Sequence, residues 1–260
     1  MAGAGSRTQP GRRGILPLGL VDRTPWWLVI VVLAMAIVLF SMLQEQRYVQ
    51  SLTYLLRGVG LTILLSVVSY AIALVIGLIA GLGRVARNQI VYTLSTIYVE
   101  VIRGIPLLVI IIYTQVNVAS TMGFNRRPVI SGIVALSIGY GAYLAEVYRA
   151  GIESIERGQM EAARSLGMSY TQAMRHIILP QAIRRVLPPL GNDFIAMLKD
   201  SSLVSAIAVN ELTQLGRIEA ARTFDQFRTL NAVAVLYLIL TLLLSLGVRL
   251  IERRTSGGKR

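Results

Sequence analysis

No cysteine occurs in the 260 residues, and there is one histidine, His176. Disulfides, thiolate nucleophiles and thiolate metal centres are thereby excluded, and a single imidazole cannot build a histidine cluster, so no metal site is expected. The sequence also lacks a His-Glu-x-x-His pair and a Gly-x-x-x-x-Gly-Lys-[Ser/Thr] loop, so it encodes neither that zinc-hydrolase site nor that nucleotide phosphate cradle. Charge is scarce: 15% of residues are charged against 54% hydrophobic, with a mean hydropathy of +0.62. Ordinary soluble domains carry about 25% charged residues, so this is the composition of an integral membrane protein. Acidic residues are scarcest, 13 against 26 lysines and arginines, for a net charge of +13. The arginines gather at the ends of apolar runs, as the positive-inside bias requires, and nucleic-acid binding is not expected.

Residues 1 to 24 are rich in Gly, Pro and Arg and have nothing to bury, which predicts a flexible cytoplasmic tail. The first apolar run, Trp26 to Leu43, is opened by Thr24 as N-cap, Pro25 in the first turn and the interface aromatics Trp26 and Trp27. No small-x-small cleavage site follows Phe40, which favours an uncleaved span over a signal peptide. Further runs at Leu56 to Leu82, Ile90 to Val118, Pro128 to Tyr148, Pro188 to Val209 and Leu230 to Leu250 are each near the ~20 residues needed to cross. The expected fold is all-α with about six transmembrane helices. It divides into a tail (1–24), an N-terminal helix (25–50), a core (51–250) with a cytoplasmic loop at about 150–185, and a cytoplasmic C-terminal tail (251–260). Arg84, Arg87, the block from Arg149 to Arg185 and the tail residues Arg253, Arg254, Lys259 and Arg260 then lie inside with both termini. Arg126 and Arg127 fall outside, against the rule, and an outer loop from Glu211 to Arg228 balances Arg217, Arg222 and Arg228 with Glu211, Glu219 and Asp225. Ala73, Gly77 and Gly81 make a small-xxx-small ridge for close helix packing.

The polar stretch from Glu161 to Gly167 runs on to Ile177-Ile-Leu-Pro180. Gly167 suits a helix C′ position, and Ser169 with Gln172 forms a capping-box pattern, so the spacing predicts two helices joined by a sharp turn. Tyr170, Ala173, Met174, Ile177 and Ile178 make one apolar stripe before Pro180 stops the second helix, leaving an exposed docking face. An interfacial amphipathic hairpin without a partner is the plainer reading of the stripe alone.

Charges inside spans cost ~2.5 to 3.5 kcal/mol each on insertion scales, so they must face a cavity or a partner. Glu100 and Arg103 share a helical face and can neutralise each other. Pro106 predicts a kink beside the Arg103 guanidinium, suited to an anionic group. Glu146 lies three residues before Arg149, which permits a local pair. Lys199, Asp200, Ser201 and Ser202 interrupt the fifth span and are expected on a translocation path. Tyr113, Gln115 and Asn117 add hydrogen-bonding groups that serve either that path or helix contacts.

Glu161-Ala-Ala, Gly167 and Ile177-x-Leu-Pro180 resemble the EAA loop of the permease subunits of bacterial ABC importers. Arg103-Gly-Ile-Pro-Leu-Leu, Ala142-Tyr-Leu-Ala-Glu-Val-Tyr-Arg149, Gly158-Gln-Met-Glu-Ala-Ala163 and Lys199-Asp-Ser-Ser-Leu-Val204 narrow the resemblance to the polar amino acid permeases, over about Leu52 to Arg249. Ile105 and Ser201 stand where threonine is common in that family. The resemblance implies a five-helix type I core, here with one extra N-terminal helix, in a prokaryotic cytoplasmic membrane. It also implies a second permease subunit as homodimer or heterodimer, an ATP-binding subunit dimer that holds the ATP and magnesium, and an extracytoplasmic binding protein. Arg103 and Glu146 are then expected to hold the charged ends of an amino acid, with Asp200, Ser201 and Ser202 next, and Tyr113 and Gln115 further along. Gly158, Gln159, Glu161, Ala162, Ala163 and Gly167 are expected to couple to the ATPase. This chain would be no enzyme and would bind no cofactor. Two other readings remain beside it, a permease of another ABC import class and an ion-coupled carrier using Glu146 and Asp200.

Overall fold

The structure, a computed structural model, describes residues 26–256. The N-terminal tail with Thr24 and Pro25, and the terminal Lys259 and Arg260, lie outside the described residues, as do the side chains of Trp27, Arg253 and Arg254. The chain divides into Met1–Glu45 and Gln46–Arg260. In the first unit, α1 spans Trp26–Leu43 and is apolar along its 18 residues.

The second unit opens with α2, Gln46–Gly83, whose 38 residues rise about 57 Å at ~1.5 Å each. Its buried stripe is made of small and hydroxyl side chains, including Gly58, Thr62, Ser66, Ser69, Ala73, Gly77 and Gly81. Gly58 and Thr62 meet the chain at Leu212, and the stripe from Ser69 to Gly81 packs on α5, Pro128–Glu153, which Pro128 starts in its first turn. A Cβ on Gly77 would lie 2.6 Å from Leu144 Cβ, and one on Gly81 2.8 Å from the Ala145 carbonyl. The small-residue ridge is therefore what lets these two helices touch.

The third run is broken rather than continuous. α3 spans Gln89–Gly104, with the Asn88 side chain accepting from the N–H groups of Ile90 and Val91. α4 spans Leu107–Tyr113 and passes through a π turn, Thr114–Val118, into a last turn, Ala119–Thr121. The two axes meet at 101°. Pro106 explains the break: it has no N–H to continue the ladder, and it holds Ile105 in the extended region at φ −103°, ψ 133°.

After α5 come α6, Arg157–Ser165, and α7, Tyr170–Ala173, followed by a second π turn, Met174–Ile178, and α8, Leu179–Asp200. Pro180 does not stop the helix, contrary to the sequence reading. In the π turn the Leu179 N–H reaches back five residues to the Met174 carbonyl, and Pro180 falls in the first turn of α8, where a missing donor costs little. α8 thus begins well before the expected fifth span and ends at Asp200, where the chain tightens into a 3₁₀ segment, Ser201–Ile207, and turns at Ala208 with φ 58°. The expected outer loop is largely helical: α9 spans Leu212–Thr223, and α10, Gln226–Ser256, completes the bundle.

Among the described residues there is no strand. Three helices, α2, α5 and α10, are long and apolar enough to cross a membrane, and the α3–α4 pair makes a fourth if taken as one broken span. Among the described residues that is fewer than the six expected, and α8 falls short because it carries two arginines, a lysine and two aspartates. The core runs as successive clusters. Leu55, Leu212, Val233 and Leu236 form one, Leu65, Ile111, Leu136 and Val204 the next, and Tyr70, Tyr140, Leu144 and Met197 a third.

Candidate functional site

A cavity of about 500 Å³ opens between the last turn of α3, the C-terminal half of α5 and the middle of α8. Its walls bring together Arg103, Tyr143, Glu146, Arg185 and Asp193 among apolar groups such as Val147 and Pro189. The kink at Pro106 places Arg103 there, with its guanidinium 5.6 Å above the Tyr143 ring. Glu146 also lines the cavity, but its carboxylate is already engaged. It accepts from Arg84 at 2.8 Å, from Arg149 Nε at 3.1 Å and more closely still from a second Arg149 nitrogen. Arg84 also pairs with Glu100 at 3.3 Å, and Arg149 with Glu153. The local Glu146–Arg149 pair is thus present within a chain of five charges that crosses from α3 through the end of α2 to α5. The expected Glu100–Arg103 pair is not formed, because Arg84 reaches Glu100 from the neighbouring helix and leaves Arg103 turned to the cavity.

The remaining expected site residues do not line this cavity. Asp200 accepts a hydrogen bond from the Tyr140 hydroxyl at 2.7 Å, Ser201 is buried with its hydroxyl on the Leu198 carbonyl, and Ser202 is half-buried. Tyr113 is exposed. Gln115 donates to the Asn125 carbonyl at 2.8 Å, and its own carbonyl oxygen is buried without a partner. Asp193 was missed by sequence reasoning, although a signal was available: it stands seven residues, two helical turns, before Asp200 and so lies on the same face of α8.

Residues 157–178 form the predicted two-helix hairpin. Gly167 turns at φ +83°, and the Met168 and Gly167 N–H groups reach back to the Ala163 and Arg164 carbonyls, the paired bonds of a Schellman motif. Ser169 and Gln172 form the reciprocal capping box. Gly158, Gln159, Glu161 and Ala162 are exposed on α6, and Ala163 is buried. Tyr170 is exposed, but the rest of the apolar stripe is not the docking face expected of it. Ala173 and Ile178 are buried, and Ile178 packs with Ile155 and Ala182 while Met160, Met174 and Ile177 close around them. The hairpin is held shut by that stripe, as a two-helix element too small to hold itself otherwise requires. What it presents outward is Leu166, 84% exposed at the turn, beside Glu161 and Ala162. Arg87 braces it from the α2–α3 connection, 4.7 Å above the Tyr170 ring.

Residues 73–257 match the model of the family of binding-protein-dependent transport system inner membrane components. The chain belongs to that family. It is a multi-pass membrane permease of an ABC-type import system, not an enzyme, and works with partner subunits. The glutamine transport system permease protein GlnP of Escherichia coli (strain K12) is 41% identical over 203 residues, 77% of this chain and 92% of that protein. The probable glutamine ABC transporter permease protein GlnM of Bacillus subtilis (strain 168) is 42% identical over 193 residues, 74% of this chain and 89% of that one. Among solved structures, an amino acid ABC transporter crystallised with histidines superposes with a TM-score of 0.74 at 38% identity, covering 79% of this chain and 96% of its own. The MetNI methionine ABC transporter in an inward-facing form gives 0.66 at 25% identity, covering 77% and 95%.

Proposed function

We propose that this permease is the membrane subunit of an ATP-driven importer for a polar amino acid, in the cytoplasmic membrane of a prokaryote with both termini inside. The observation that carries the reading is one cavity lined by two arginines and two carboxylates, on a permease whose relatives are named for glutamine and other amino acids. A zwitterion needs a cation for its carboxylate and an anion for its ammonium, and a guanidinium meets the first need with two parallel hydrogen bonds. Arg103 supplies it, and Glu146 and Asp193 put negative charge on the same wall. Asp200, Ser201 and Ser202 at the 3₁₀ junction, with Tyr113 and Gln115 on α4 and its π turn, belong to the remainder of the path. Residues 51–250 are the transport core, and the helix at 25–50 is an addition to it.

In this reading the chain binds no cofactor, and ATP with magnesium sits on a dimer of separate ATP-binding subunits. The hairpin faces those subunits, where Gly158, Gln159, Glu161 and Ala162 with Leu166 form the contact, Ala163 holds the hairpin shut and Gly167 sets its angle. A second permease subunit and an extracytoplasmic binding protein complete the assembly. The test is affinity purification from the native membrane with and without Glu161→Arg. An ATPase that accompanies the wild-type chain and is lost with the reversed charge is the expected result. Its absence from the intact wild-type complex in mild detergent would favour an ion-coupled carrier instead.

A further inference from the structure

Four ionisable side chains line the cavity beside its tyrosine, and they are not equivalent. Arg185 donates to the Ser154 carbonyl at the cavity wall. Glu146 is shared between Arg84 and Arg149, with both oxygens taken. Asp200, the other carboxylate of α8, lies outside the cavity and is held by Tyr140. Among the described residues, no hydrogen bond or ion pair reaches the carboxylate of Asp193 or the guanidinium of Arg103, which lies over the face of Tyr143 and acts on Glu146 only through space. An unpaired charge within the span of a membrane protein is costly and persists where a ligand or water-filled path meets it.

From this we infer that Asp193, rather than Glu146, is the group that receives the substrate's ammonium, opposite Arg103 on the carboxylate, and that it sets selectivity for substrates with a free amino group. The inference rests on the proposed function. α8 is continuous through the π turn with the hairpin at its N-terminal end, with Pro188 and Pro189 between that end and Asp193. Glu146 is left to hold the helices together, a role that needs it occupied at all times. A substrate contact there would have to break two arginine pairs first.

The test uses the complete transporter in proteoliposomes, with binding protein and ATPase, and three radiolabelled probes: glutamine, arginine and glutamate. If the wild-type complex takes up none of them, the reading fails for amide, cationic and acidic amino acids, and the assignment of Asp193, which rests on it, falls with it. With wild-type uptake established, Asp193→Asn is expected to cut it by about tenfold or more, the loss that follows removal of a charge-assisted hydrogen bond, and Asp193→Glu to restore much of it. Because the chain has no cysteine, Ala150→Cys on the same cavity wall, with Asp193 intact, gives a single reporter in this chain whose alkylation, read by mass spectrometry, needs no substrate turnover. An amino acid should slow that alkylation, and the corresponding 2-oxo acid, lacking the ammonium, should slow it less. Wild-type uptake by Asp193→Asn, or alkylation indifferent to every probe, overturns the assignment. So does failure of both Asp193 variants to assemble, which would make Asp193 a structural residue.

Discussion

Arg84 donates to Glu146 at 2.8 Å while its other terminal nitrogen lies 3.3 Å from Glu100, so one side chain at the end of α2 fastens both α3 and α5. The guanidinium is nearly enclosed, at 12% exposure, and its Nε has no partner, so nothing else solvates it if the carboxylates leave. Breaking such a pair from one side is costly because the other charge is left behind. Arg84→Gln should therefore lower stability by about 2 kcal/mol, the scale of hydrogen bonds to charged groups. The readout is the thermal midpoint in detergent. Adding Glu146→Gln should cost less than the sum of the two single changes, because both act on one network; strict additivity would refute the bridge.

The ridge on α2 makes a prediction of opposite character, steric rather than electrostatic. Gly77→Ala places a methyl 2.6 Å from Leu144 Cβ and 3.1 Å from the Ala145 nitrogen, backbone that cannot swing away. Overpacking of this kind costs about 1 to 3 kcal/mol. Gly60→Ala on the same helix meets nothing within 4 Å and gains helix propensity, so it should be neutral or slightly stabilising. Equal effects of the two substitutions on folded yield and thermal midpoint would show that the helices do not meet along this face.

Much of this was legible in the sequence, and the exceptions share one cause. The capping box, the turn at Gly167, the ridge and the kink at Pro106 are local patterns, fixed by residues a few positions apart. The departures depend on what a second element brings. Glu100 meets Arg84 instead of Arg103, which a reading of α3 alone cannot show. The hairpin stripe is correctly periodic, but Ile155 and Ala182 from outside α7 decide that it faces inward. Pro180 signals a stop only if the preceding turn is α-helical, and the π turn removes that condition. Asp193 was passed over because its one signal, the seven-residue spacing from Asp200, counts only if both lie on one helix, and the expected stop at Pro180 and the span boundary at Pro188 hid that continuity.

The connection between α9 and α10 supplies a pH-dependent element outside the spans. Asp225 pairs with the Arg228 side chain at 2.6 Å and accepts from the Arg228 N–H, and that arginine holds its carboxyl below the usual carboxylate range. A group whose folded pKa is depressed contributes stability above its unfolded pKa, about 3.9 for Asp, and the contribution is lost as pH falls through the folded value. The wild-type thermal midpoint should therefore carry an acid-side decline below about pH 4 that Asp225→Asn lacks, with the variant the less stable of the two at neutral pH. Parallel profiles would mean that the pair contributes nothing measurable, as fully solvated pairs often do.

Closing the hairpin and engaging a partner are assigned to different residues, and they should come apart experimentally. Ile178 is 5% exposed and sits where α6, α7 and α8 meet, so Ile178→Ala removes buried methyl groups from a small core and should cost about 2 to 5 kcal/mol. Its effect should appear in the isolated permease as faster proteolysis between α6 and α7. Leu166 is 84% exposed and supports nothing within the hairpin, so Leu166→Asp should leave proteolysis and thermal midpoint close to wild type. In the assembled transporter the order reverses in kind. A large apolar side chain at the tip of a rigid turn is the sort of anchor that carries binding when a partner groove covers it, and replacing it with a carboxylate leaves a charge to be desolvated there. Leu166→Asp should thus abolish binding-protein-stimulated ATP hydrolysis while the permease stays folded. If stimulation survives Leu166→Asp, the contact is made elsewhere on α6, and Glu161 becomes the residue to test alone.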